Sequence, residues 1–166
     1  AYQNAEYFMT AYDASGNTLD VESGYLDSVL AGSTVVEILY FSEEAQGLDH
    51  FELTLDAGSC EAVQVKAGDI TLDKVTLFPN DSYPQATAKV VNNLPHYITD
   101  VYVSAVGYNA ANEVVAVGSS YVNVLFPSDF SGVVVSMNQA QDAVVDHVVL
   151  YPTITSFSEF SVDDPS

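Results

Sequence analysis

The chain has 166 residues, with 23 acidic side chains against three lysines and no arginine, for a formal charge of −20. That balance excludes a nucleic-acid partner, because phosphate binding runs on Lys and Arg, and it disfavours adsorption to an anionic membrane surface. The single cysteine, Cys60, permits neither an intrachain disulfide nor a thiolate metal site, yet the length suffices to bury a core without cross-links.

In chain order, the aromatic and β-branched residues of 5–12 suit a pleated, half-buried surface and predict a strand. Asp13-Ala-Ser-Gly-Asn17 follows. Asp13 can bond its own backbone and Gly16 takes positive φ without a steric penalty, so the stretch predicts a hairpin turn into a second strand over 18–26. A calcium loop through Asp13, Ser15, Asn17 and Asp20 is the rival reading; such a loop wants more acidic ligands and a distal bidentate Glu. Further strands are predicted over 34–41, 50–55 and 61–66, with Phe51, Leu53 and Leu55 sharing one face. Two short helices are predicted at matching places, over 42–47 and 138–143.

Ala67-Gly68-Asp69 breaks the pattern and marks a boundary. Beyond it, strands are predicted over 70–78, 87–91, 100–108, 114–124, 130–137 and 146–151, followed by a Ser/Thr-rich segment over 153–162. Residues 12–32 recur without a gap at 108–128. Tyr12/Tyr108, Ala14/Ala110, Val21/Val117, Ser23/Ser119 and Tyr25/Tyr121 are identical, while Asn109 and Asn112 stand for Asp13 and Gly16. What is duplicated is therefore a hairpin with its turn chemistry.

About seven short strands at near-regular spacing are the pattern of an immunoglobulin-like sandwich, and the second half supplies them. The first half has no counterpart of 70–78 or 87–91. The expected fold is all-β: two tandem immunoglobulin-like antiparallel β-sandwich domains, 1–68 and 69–166, the first lacking its N-terminal strands. A sandwich so reduced exposes unpaired backbone and an apolar groove that another strand can join.

The Tyr-Asp/Asn-x-x-Gly/Asn hairpin, with Ser-x-Tyr and the turns near Gly32 and Ser128 following, resembles the FxLYD-type immunoglobulin-like modules of bacterial surface and secreted proteins. Tyr12-Asp13 and Tyr108-Asn109 fit that motif; Met9 and Ala105 stand at its Phe, Ala11 and Gly107 at its Leu. The resemblance implies an extracellular β-sandwich and carries over no active-site residues.

Chemistry is sparse. His50 and His147 each follow an aspartate, Asp49 and Asp146, and His96 sits in a Leu-Pro-His turn, so a Ser-His-Asp reading can be drawn. Its recurrence argues instead for a structural pair at a strand start. No catalytic residue, cofactor or metal site is expected, and the chain is expected not to be an enzyme. Lys89, inside an apolar strand, reads as an edge lysine that deters aggregation, or as a Lys-Asn cross-link donor. Asn80-Asp81-Ser82 fits a glycosylation sequon.

The absence of a spanning apolar run or lipidation motif fits a mature secreted chain at the cell surface or outside the cell. The expected function is that of a non-enzymatic structural protein: a filament or pilus-like subunit joined head to tail by strand complementation, partnered by copies of itself or by other surface proteins. Phe157, Phe160 and Val162 of the tail are the expected pocket fillers, with the 1–4 end as the other candidate donor. The alternative is an adhesion or carbohydrate-binding module that uses loops at one end of the sandwich.

Overall fold

The computed structural model describes residues 2–30, 32–39, 47–56, 61–62, 65–80, 83–154 and 160–161. These residues are all-β, without helix, and every strand pairing is antiparallel. The first half contributes β1 (Tyr2–Asp13), β2 (Thr18–Val29), β3 (Leu48–Asp56) and β4 (Glu61–Ala62), in one sheet ordered β2-β1-β3 with β4 also on β1. The second half contributes β5 (Ile70–Phe78), β6 (Gln85–Asn92), β7 (Tyr97–Tyr108), β8 (Val114–Leu125), β9 (Phe130–Ser136), β10 (Asn138–Gln139), β11 (His147–Ile154) and β12 (Phe160–Ser161). These form two sheets, β5-β6-β9 and β10-β8-β7-β11, with β12 also on β7.

The core of the second half lies between its two sheets. In β6 the alternation is strict: Ala86, Ala88, Val90 and Asn92 are buried, and the residues between them are not. With Val133 and Val135 of β9 they pack in one cluster with Val101, Val103 and Ala105 of β7, Val122 and Leu125 of β8, and Leu150 and Ile154 of β11. Asn92 is the polar member of this layer. Its Nδ2 donates to the carbonyls of His96, Leu125 and Phe126, and its Oδ1 accepts from Leu94 N. A buried amide so satisfied fixes the β6–β7 turn against the end of β8.

The halves meet. Leu30, after β2, and Val65 join the core of the second half, and Ser104 Oγ donates to Val36 O at 3.3 Å. β7 is buried from Val103 to Gly107, on both of its faces, because the sandwich covers one side and the first half reaches the other.

Three expectations are corrected. Residues 34–39 form no strand, and 40–41 lie outside the described residues. Asn138–Gln139 is a strand on β8, followed by a turn rather than a helix; of the other expected helix, 42–46 lie outside the described residues. Lys89 is not on an edge, because β6 is the middle strand of its sheet. Its Nζ lies 3.5 Å from the centroid of the Phe130 ring, a cation–π contact on the outer face.

Candidate assembly surface

The two hairpins repeat the backbone bonds that close their turns, while the side-chain bond reverses, Asn17 Nδ2 donating to Asp13 in the first and Asn109 Nδ2 to Glu113 in the second. Asp13 Oδ1 accepts from Ser15 N and Asn17 N at 2.8 Å, and Gly16 has φ 80°. Asn109 Oδ1 accepts from Ala111 N and Glu113 N, and Asn112 has φ 62°. The next turns match as well, with Gly32 at φ 78° and Ser128 at φ 54°. The Asp13 carboxylate is thus spent on the turn. Asn17 Nδ2 also donates to it, and these bonds, that side-chain one foremost, hold its carboxyl below the ordinary aspartate range.

The Asp-His pairs recur in geometry as they do in sequence. His50 Nδ1 lies 2.9 Å from Asp49 Oδ2 and its ring stacks on Tyr12; His147 Nδ1 lies 3.2 Å from Asp146 Oδ2 and stacks on Tyr108. Tyr12 of β1 lies opposite His50 of β3, and Tyr108 of β7 opposite His147 of β11. Tyr151, beside the second pair, has its pKa raised by its hydrogen bond to Tyr108, by burial and by the Tyr108 charge. No three His, Cys, Asp or Glu groups gather at one point among the described residues.

The inner faces differ. Strand registers carry Ala5, Tyr7, Met9 and Ala11 of β1 onto Val101, Val103, Ala105 and Gly107 of β7, and Phe51, Leu53 and Leu55 of β3 onto Val148, Leu150 and Pro152 of β11. In the second half this face is roofed by β5-β6-β9. In the first half Phe51, Leu53 and Leu55 remain 56%, 51% and 55% exposed, and all of β3 is exposed. The three side chains form a continuous apolar row beside the buried Met9 and Ala11. Covering the rest of that row would contribute on the order of 3 kcal/mol.

Residues 34–40 stand in the repeat where β9 stands in the second half. β9 is a strand because β6 pairs with it along its length; no described strand pairs with 34–39, so the same kind of sequence forms no ladder. A second cause lies in β2. Gly118 of β8 sits so close to β9 that a Cβ there would collide with the Ser136 carbonyl and come within 2.9 Å of Met137 Cα. Glu22 occupies the matching place in β2, paired with Met9, and its side chain bars that close approach. The segment runs instead toward β7, with Val36 O on Ser104. Tyr7 has its pKa raised by burial, then by the charges of Glu37 and Glu22.

Of the expected assembly residues, Phe160 pairs with Ile98 of its own β7, and Phe157 and Val162 lie outside the described residues. Thr153 and Ile154 are buried in β11. Tyr2–Asn4 likewise belong to β1, with Tyr2 opposite Val29 and Ala62. Missed in the sequence was the row Phe51, Leu53, Leu55 as an open face, although its alternation was visible there. Cys60, Asp81 and Ser82 lie outside the described residues; Asn80 is exposed.

Comparison of the chain with protein-family models, with curated proteins and with solved structures returned no match.

Proposed function

We propose that this chain is a non-enzymatic structural protein of the cell exterior, with immunoglobulin-like halves, whose first half accepts a β-strand from a neighbouring molecule. The observation that carries the reading is the contrast between the inner faces: the same face that β5-β6-β9 roofs in the second half is left open over Phe51, Leu53 and Leu55 in the first. A strand entering beside 34–39 takes the place that β6 holds beside β9. Its backbone supplies the absent ladder, and chain that continues from it into the place β5 holds against β11 covers the row. Head-to-tail repetition of that contact propagates as an open filament. The tail as described is engaged in its own sandwich from His147 to Ile154 and at Phe160–Ser161, so the donor comes from residues outside those pairings.

A ligand-binding reading has less support. Two shallow depressions, of about 420 and 450 Å³, share Asp142, Ala143 and Val144 and are lined by Pro, Asn, Gln, Ala, Val and acidic residues without an aromatic ring. A sugar platform wants such rings.

The test is electron microscopy of native material beside a Val35→Pro variant. Proline removes an N–H that the accepted strand requires, at a place where no described strand uses it. Filaments in native material that vanish in the variant, with the thermal midpoint unchanged, are the expected result. Filaments that persist in Val35→Pro exclude strand acceptance at 34–39, and a dispersed globule in native material excludes the filament.

A further inference from the structure

The charge of −20 is unevenly spread. The three lysines, Lys66, Lys74 and Lys89, all lie within residues 65–92, where three aspartates balance them, while residues 1–62 carry twelve acidic side chains and no lysine. The neutral stretch supplies β5 and β6 of the β5-β6-β9 sheet. Lys89, in its middle strand, stands on the outer face between Asp73 of β5 and Gly132 of β9. Asp73 Oδ1 accepts from Lys74 N, and Lys89 Nζ makes its contact with the Phe130 ring. No described carboxylate forms an ion pair with Lys89. Around it Phe78, Phe130 and Val134 are exposed, and Gly132 leaves a hollow, with no atom within 4 Å of where a Cβ would stand. An unneutralised cation in an exposed apolar face, on so acidic a chain, suits a carboxylate that is itself set among apolar side chains.

The first sheet has such a face. On the side of β1 opposite the buried Ala5, Met9 and Ala11, Glu6 pairs with Tyr25, Phe8 with Ser23 and Thr10 with Val21. Phe8, Val21 and Tyr25 are exposed. Glu6 makes no hydrogen bond or ion pair with a side chain among the described residues, whereas Glu52 on the same face accepts from Tyr12 Oη at 3.4 Å. We propose that the outer face of β5-β6-β9 of one copy packs on this face of β2-β1-β3 of the next, with Lys89 against Glu6. Both faces are exposed within one chain, so neither covers the other there and the contact requires a second copy. Sheets stacked about 10 Å apart bring Phe130 and Val134 against Phe8 and Tyr25, with the Gly132 hollow open to the Phe8 ring. Two different faces are joined, so the contact is heterologous and repeats along a filament. It uses neither 34–39 nor the Phe51 row and therefore stands apart from strand acceptance.

The test uses the whole chain carrying Val35→Pro, which removes strand acceptance at 34–39, in sedimentation velocity over a concentration series at fixed ionic strength. Association that grows with concentration is expected. Lys89→Glu sets carboxylate against carboxylate and Glu6→Lys sets ammonium against ammonium, so each should weaken association at least about tenfold with the circular dichroism unchanged. Glu6→Lys does so although it lowers the net charge, which general repulsion would not. In an equal mixture each variant meets its complement at both faces, and association returns. Loss in Lys89→Glu with a gain in Glu6→Lys reports net charge alone and overturns the pairing. A mixture that stays dissociated, or a parent chain monomeric at every concentration, also overturns it. Neither result touches strand acceptance, which is read from the filaments of native material against Val35→Pro.

Discussion

The two halves of this chain share a hairpin and differ in what lies over it. Along the hairpins the repeat is close: Tyr12 and Tyr108 each carry a stacked histidine, and Val-x-Ser-x-Tyr runs along β2 and again along β8. On the inner faces nearly every matched pair is different. β7 presents Val101, Val103, Ala105 and Gly107 to a complete roof, while β1 presents Ala5, Tyr7, Met9 and Ala11 to a face that stays open along β3. The contrast teaches that a strand-forming sequence is only half of a strand. Residues 34–39 and β9 occupy the same place in the repeat, and the one with β6 beside it is a strand.

The largest effect comes from moving the first half's residue into the second. Gly118→Glu copies Glu22, and the new Cβ meets the Ser136 carbonyl and the Met137 backbone, groups that cannot step aside without breaking β9. Destabilisation on the order of 3–5 kcal/mol is expected by chemical denaturation, an exceptional size for one substitution. The reciprocal Glu22→Gly should change stability by less than about 1 kcal/mol. Equal losses from the two would mean that the inner faces are roofed alike. Next comes Asn92→Leu, which leaves the carbonyls of His96, Leu125 and Phe126 without their donor. It should cost about 2–4 kcal/mol in the denaturation midpoint, confined to the half that has the roof.

Turns and periods were legible in the sequence because they are local. Gly16, Asn112 and Gly32 sit in left-handed backbone as their residue types require, and the alternation of Phe51, Leu53 and Leu55 gave the right face of β3. What was not legible depends on pairing. Lys89 reads as an edge lysine until the sheet order makes β6 the middle strand. Residues 34–39 have strand composition and no described strand to pair with. Asn138–Ala143 carries no signal that Asn138 will face Val117 across a ladder. The tail aromatics drew the assembly reading, but Phe160 pairs at home with Ile98, and the exposed apolar row lay in a strand that the alternation described as ordinary and half buried.

The turns sharpen the comparison at a smaller scale. Gly16→Val should cost about 1–3 kcal/mol, because a β-branched residue is strained at φ 80°. Asn112→Gly, at φ 62°, should be neutral or mildly stabilising in the same denaturation assay. Equal and negligible effects would remove the left-handed requirement from the first turn.

The smallest expected effect is a difference in pH dependence between the two turns. Asp13 and Asn109 make the same pair of bonds to the backbone two and four residues on, but only Asp13 titrates. Its folded pKa lies below the ordinary value of 3.8 because Asn17 donates to the carboxylate from both side chain and backbone, with Ser15 and Gly16 adding to it. A depressed folded pKa means that the ionised form favours folding. That contribution is complete above the unfolded pKa and disappears as pH falls through the lowered one, when the protonated carboxyl can no longer accept all of these bonds. Asp13→Asn, which copies the second turn into the first, should therefore leave the stability near neutral pH close to wild type and flatten its decline below about pH 4. Asn109→Asp is not the mirror experiment, because Asn109 Nδ2 donates to Glu113 Oε2 at 2.7 Å: a carboxylate there faces a second carboxylate, which costs stability near neutral pH and is relieved as pH falls. Thermal midpoints from pH 3 to 6 for the wild type and Asp13→Asn decide it, and parallel curves would mean that the Asp13 carboxylate contributes no acid sensitivity to the first hairpin.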